Sequence, residues 1–305
     1  MRRPIIFIIV FIIAIVFFFG LGRSGKKNKA VKKAPSGQAA VILEDAKSLI
    51  GTQDDQAIEK LNKLVTDFPS APEAPQALLE LADVYASKSD LLTEKDTLKK
   101  LLAQYPTSDI AAEAQKKLWD LNVQIIFSPI QTKDSLVYEV VPGDSLYKIA
   151  KEYKTNVDLI AKSNNIKGTV IRPGMKLKIS KAHYKIDVDK SDQKLVLKND
   201  DEVVKIYDVA VGRDNSTPVG KFKIINRIMD PVWYRTGAIV PAGSPENILG
   251  TRWLGLSEPG YGIHGTTDTK PIREQDTQGC IRMMNPEVEE LFVIVPVGTE
   301  VEITD

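Results

Sequence analysis

The spacing of apolar side chains changes along this chain, and that change rules out a single repeating architecture. Between residues 38 and 124 the sequence is rich in Ala, Leu, Lys, Glu and Asp. Leu61, Leu64, Val65 and Phe68 stand at i, i+3, i+4 and i+7, which gives one apolar helical face. From His183 the pattern becomes that of strands. Tyr184–Val188 and Lys194–Leu197 alternate or cluster β-branched residues, and Asp200-Asp201-Glu202 marks a turn before Val203–Tyr207. Many later Gly and Pro residues suit a mostly antiparallel β domain with long functional loops, and residues 286–293 fit one short helix. A chain of 305 residues is long enough for about two domains, and the pattern predicts a multidomain protein.

The first residues belong to neither pattern. After Met1-Arg2-Arg3-Pro4 comes an uncharged apolar run from Ile5 to Gly22. As a helix it would span about 27 Å, close to the hydrocarbon thickness of a bilayer. Phe17–Gly22 makes a poor cleavage site, so residues 1–22 read as an uncleaved transmembrane anchor, with a signal segment as the alternative. Residues 23–37 carry Arg23, Lys26, Lys27, Lys29, Lys32 and Lys33 and read as a basic linker. That flank alone favours a cytoplasmic location for the residues C-terminal to it, an expectation that the downstream modules oppose. The formal net charge of +1 gives no bulk electrostatic reason to expect a nucleic-acid partner.

Two blocks inside 38–124 repeat. Lys60–Ser70 aligns with Asp96–Ser108, and the aromatic-Pro pairs Phe68-Pro69 and Tyr105-Pro106 are 37 residues apart. This resembles a short tetratricopeptide-like array, whose period is about 34. The resemblance implies either a protein-docking surface or a helical spacer.

Residues 137–181 form another module. Tyr138–Ala150 opens it, Pro142-Gly143 marks a turn, and Asp144 or Ser145 can cap the helix after that turn. With Asn156–Asn165 and Ile171–Ile179 the order is strand, turn, helix, helix, strand. This resembles a LysM domain, a small α+β fold, and the resemblance implies binding to N-acetylglucosamine-containing glycan strands. Gly143-Asp144-Ser145-Leu146 also spells an esterase motif, which the surrounding pattern makes a coincidence.

Cys280 is the only cysteine, so no intrachain disulfide and no cysteine-based zinc site exist, and with only His183 and His264 no histidine-rich metal site is expected. His264 precedes Cys280 by sixteen residues, and a thiol with a histidine is the raw material of nucleophilic acyl transfer. Ile263-His264-Gly265-Thr266 and then Thr277-Gln278-Gly279-Cys280-Ile281-Arg282-Met283, with Asn285, resembles the signature of the L,D-transpeptidases. Val211-Gly212-Arg213, Ser216–Ile224, Leu249–Leu254 and Gly260–His264 extend the likeness over residues 183–305. Gln278 departs from it, because the family usually has a second histidine there.

The resemblance implies a mostly-β cysteine acyltransferase without cofactor or metal, acting on peptidoglycan stem peptides in the cell envelope. Cys280 would be the nucleophile and His264 the base, its ring oriented by the Gly265 carbonyl. Asp268, Glu274 and Asp276 are alternative orienting groups. Backbone N–H groups of Gly279 and Cys280 could receive the oxyanion. Arg282 could pair with a substrate carboxylate, and Trp253 and Tyr261 could line the acyl-donor groove. Asn285 and Gln278 read as structural support. The acceptor stays open between a second stem peptide, water (a carboxypeptidase) and a protein lysine. A non-catalytic wall-binding scaffold is the remaining alternative.

Overall fold

A computed structural model describes residues 37–235, 237–266, 268, 272 and 275–305. The anchor assigned to 1–22, nearly all of the basic linker and Glu274 lie outside the described residues. Among the described residues no helix is long and apolar enough to cross a membrane. The chain divides into two compact units, Met1–Leu118 and Trp119–Asp305.

The first unit is helical. Helices α1 (Gln38–Leu49), α2 (Asp54–Asp67), α3 (Glu73–Ser87) and α4 (Leu91–Gln104) are followed by α5 (Ala111–Ile126), within which the second unit begins. The amphipathic period predicts the buried set: Leu61, Leu64 and Val65 of α2 are inside, as are Ala77, Leu78, Leu81 and Ala82 of α3. The two aromatic-Pro corners are equivalent in detail. Phe68 ends α2 at φ −129°, ψ 52°, and Tyr105 ends α4 at φ −132°, ψ 54°. The Tyr105 hydroxyl donates to the Pro69 carbonyl at 2.8 Å and ties one corner to the other.

The second unit holds two modules. In the smaller, β1 (Ser135–Glu139) leads through α6 (Leu146–Glu152) and α7 (Val157–Ser163) to β2 (Lys176–Ser180), which pairs antiparallel with β1. Ser145 caps α6 by accepting from the Lys148 N–H at 3.3 Å, and Asn156 caps α7 by accepting from Leu159 at 2.8 Å. Asp144 instead braces the turn, accepting from the Val141 N–H and the Tyr138 hydroxyl, both at 2.8 Å. The module is fastened to its neighbour. Asn156 Nδ2 donates to the Val293 carbonyl at 3.0 Å, and Arg227 pairs with Asp158 at 2.7 Å.

The larger module is built on β3 (Tyr184–Asp189), β4 (Lys194–Asn199), β5 (Glu202–Asp208), β6 (Val211–Gly212), β7 (Gly220–Met229), β8 (Trp233–Arg235) and β9 (Ala238–Val240). It continues with β10 (Arg252–Leu256), β11 (Gly262–His264), β12 (Gln275–Thr277), β13 (Ile281–Arg282), helix α8 (Asn285–Ile294) and β14 (Glu300–Thr304). Eight strands form one sheet in the order β13-β11-β10-β7-β14-β3-β4-β5. Its pairs are antiparallel except β14 with β3 and β11 with β13. Residues Val288, Leu291, Phe292 and Ile294 of α8 pack with Ile186, Leu254, Ile263 and Ile281 of the sheet in a single core. That core leaves the opposite side of β10, β11 and β13 for the site.

Candidate active site

Strand register brings the chemistry together. Ile263 pairs with Ile281 and His264 with Arg282 across β11 and β13. Side chains alternate along a strand, and both isoleucines are buried in the core. His264 and Arg282 therefore share the other face, and Cys280 immediately precedes β13. Across β10, Trp253 pairs with His264 and Gly255 with Gly262, which puts Trp253 on that face too.

His264 is 3% exposed. Its Nδ1 lies 2.7 Å from the Gly265 carbonyl oxygen. A carbonyl only accepts, so Nδ1 carries the proton and Nε2 the lone pair. The Trp253 indole stacks on the ring, with centroids 6.1 Å apart and planes 18° apart. Burial drives the imidazole pKa down to about 4; the Gly265 carbonyl opposes this and the Arg282 charge adds to it. Burial pushes the Cys280 thiol up, against a Gly262 backbone contact that lowers it. The thiol also lies 3.7 Å from the Gly260 carbonyl oxygen. At neutral pH the resting pair is therefore a neutral imidazole and a thiol.

Glycines let the site close up. At Gly279 φ is +120°, and a Cβ would fall 2.6 Å from Tyr261 Cε1 and 3.0 Å from the Ser216 carbonyl oxygen. The Tyr261 ring thus packs on the residue before the nucleophile. At Gly262 a Cβ would fall 2.5 Å from the Trp253 ring. Asn285 Oδ1 accepts from the Thr251 N–H at 3.1 Å and would be struck by a Cβ on Gly250 or Gly265. It braces the turn after His264, as support. Gln278 is exposed.

The Gly279 N–H donates to Thr277 Oγ1 at 3.2 Å. Sequence reasoning misses Thr277 and Thr217. Thr217 Oγ1 donates to the Gly279 carbonyl at 2.9 Å. Both lie inside the motif blocks that carry the resemblance, which is the signal that marks them. Among the described residues no group of three or more His, Cys, Asp or Glu side chains is arranged to hold a metal ion.

Two family models match the second unit. The YkuD-type L,D-transpeptidase catalytic domain matches residues 183–303, and the LysM domain matches residues 138–180. A Bacillus licheniformis protein named as an L,D-transpeptidase, YkuD, is 36% identical over 177 residues, spanning 55% of this chain and 99% of that protein. The Bacillus subtilis protein of the same name is 35% identical over 175 residues, spanning 55% of this chain and 98% of that one. Among solved structures, an L,D-transpeptidase from Mycobacterium smegmatis is similar at 18% identity with a TM-score of 0.35, over 43% of this chain and 64% of that chain. The assignment rests on the sequence relatives.

Proposed function

The chain belongs to the L,D-transpeptidase family, a family of cysteine-dependent enzymes that cross-link peptidoglycan, and from that premise we propose how its own residues carry the reaction. The observation that supports the reading is a buried His264 whose Nδ1 is tied to Gly265 and which pairs in register with Arg282, two residues after Cys280.

Cys280 Sγ attacks the carbonyl carbon of the amide after the third stem residue. As the S–C bond forms, the thiol proton passes to His264 Nε2. A general base acting during attack is what the neutral resting pair supports, rather than a preformed thiolate. The Cys280 N–H receives the oxyanion. Collapse breaks the C–N bond, and His264 returns the proton to the leaving amine. The terminal residue departs and a thioester remains on Cys280. The amine of a second stem then attacks the thioester, His264 takes its proton, and the thiol is regenerated. Arg282, on the same face, holds a stem carboxylate in a bidentate pair. Trp253 and Tyr261 form the wall of the donor groove with the faces not used in packing.

The LysM module binds the glycan strands, and this raises the effective concentration of stem peptides at Cys280. In this reading residues 1–22 anchor the protein in the membrane, with the modules on the wall side. The five-helix region, tetratricopeptide-like in its repeated corners, docks a protein partner. The test is incubation with a disaccharide tetrapeptide and mass analysis of the products. Cross-linked dimers that vanish with Cys280→Ala support the reading. Hydrolysis to tripeptide alone would make the protein a carboxypeptidase, and neither product would leave a wall-binding scaffold.

A further inference from the structure

Two threonine hydroxyls hold the backbone of the nucleophile. Thr217, 1% exposed, accepts from the Gly212 N–H at 2.7 Å and donates to the Gly279 carbonyl at 2.9 Å. Thr277 accepts from the Gly279 N–H at 3.2 Å and donates to the Cys280 carbonyl at 2.6 Å. Each hydroxyl has one proton, and each gives it to a carbonyl of this stretch. Three of the four backbone polar groups of Gly279 and Cys280 are thereby engaged. The fourth, the Cys280 N–H, has no partner among the described residues.

Peptide geometry then decides where that N–H points. The bond between Gly279 and Cys280 is trans, so its C=O and N–H are antiparallel within one plane. A carbonyl drawn toward Thr217, on the β6 side, turns the N–H the opposite way. Close backbone approach makes this reach possible: a Cβ on Gly212 would fall 2.7 Å from Gly279 Cα. The restraint matters because Gly279 sits at a φ of +120° that glycine adopts easily. Rotation of the unrestrained peptide would turn a carbonyl oxygen toward the charge that develops on the substrate.

We propose that Thr217 is a positioning residue for acyl transfer: by holding the Gly279 carbonyl it aims the Cys280 N–H at the oxyanion. This rests on the acyl-enzyme reading above and adds to it a residue 63 positions upstream of the nucleophile.

The test compares Thr217→Val and Thr217→Ser with the wild type in the full chain. Two rates are measured: acylation of Cys280 by a carbapenem, monitored by intact mass, and alkylation of Cys280 by iodoacetamide. Acylation develops an oxyanion; alkylation of a thiolate by displacement does not. Loss of one oxyanion donor slows turnover by about 10²–10³-fold, so T217V should slow the limiting acylation rate by at least about tenfold with alkylation within about threefold of wild type. T217S, which keeps the hydroxyl, should restore acylation. Wild-type acylation by T217V, an equal fall in both rates, or a T217S as slow as T217V would overturn the inference. A wild type that alkylates and never acylates would instead overturn the transpeptidase reading itself, and the inference with it.

Discussion

Acidification should destabilise the second unit through His264, by an amount that the burial of its ring sets. The ordinary midpoint of this group is 6.5, and in the folded protein it is about 4. As pH falls, the unfolded chain binds its proton first, so the folded state loses relative stability across that window and keeps it above pH 6.5. At pH 4 an unfolded histidine is almost fully protonated and the folded one half so, which amounts to about 3 kcal/mol. The assay is urea unfolding at pH 7 and pH 4, comparing wild type with His264→Gln. All three tryptophans, Trp119, Trp233 and Trp253, lie in the second unit, so their fluorescence reports on that unit alone. Glu287, whose carboxyl burial holds above its usual value, acts with the opposite sign and cancels in the difference. The stability advantage of wild type over the variant should shrink by about 3 kcal/mol between the two pH values. A difference unchanged with pH would refute the reasoning, as would an NMR titration, simple with only two histidines, that put His264 at or above 6.5.

The remaining predictions concern the nucleophile and its supports. Iodoacetamide should alkylate Cys280 at pH 7 several-fold more slowly than a free thiol peptide, because burial raises its pKa; equal rates measured by intact mass would contradict the neutral-pair description. Gly279→Ala should cost about 1–3 kcal/mol through its left-handed backbone and abolish acylation, since the new methyl meets the Tyr261 ring and the Ser216 carbonyl; a stable, active variant would show that the turn relaxes freely. Asn285→Ala should cost about 1–3 kcal/mol by leaving the Thr251 N–H without its acceptor, read by thermal unfolding, and should also slow acylation by loosening the Gly265 turn.

How far the sequence reveals this protein varies with the range of the interaction. The periods of α2 and α3 and the strands from Tyr184 onward are visible because each buries one face, and burial repeats with the geometry of the element. The Ser145 cap needs only four consecutive residues. The pairing of β11 with β13 is less visible, because the two strands contribute two register pairs and neither shows a period. The motif names Cys280 and His264 but not what holds them. Thr217 donates to the Gly279 carbonyl across 62 positions, and Thr277 accepts from the Gly279 N–H, a contact that no motif spacing announces. Trp253 and Tyr261 look like groove residues in the sequence, yet much of each ring is committed to packing on Gly262, His264 and Gly279.

Intact-mass spectrometry with a carbapenem asks whether Cys280 is an activated, acyl-accepting nucleophile. Because the chain has a single cysteine, an adduct needs no further localisation once Cys280→Ala is measured beside the wild type. Wild type should carry one covalent adduct and Cys280→Ala none. An unmodified wild type, or an adduct that persists in the variant, would rule out Cys280 as the acylated nucleophile.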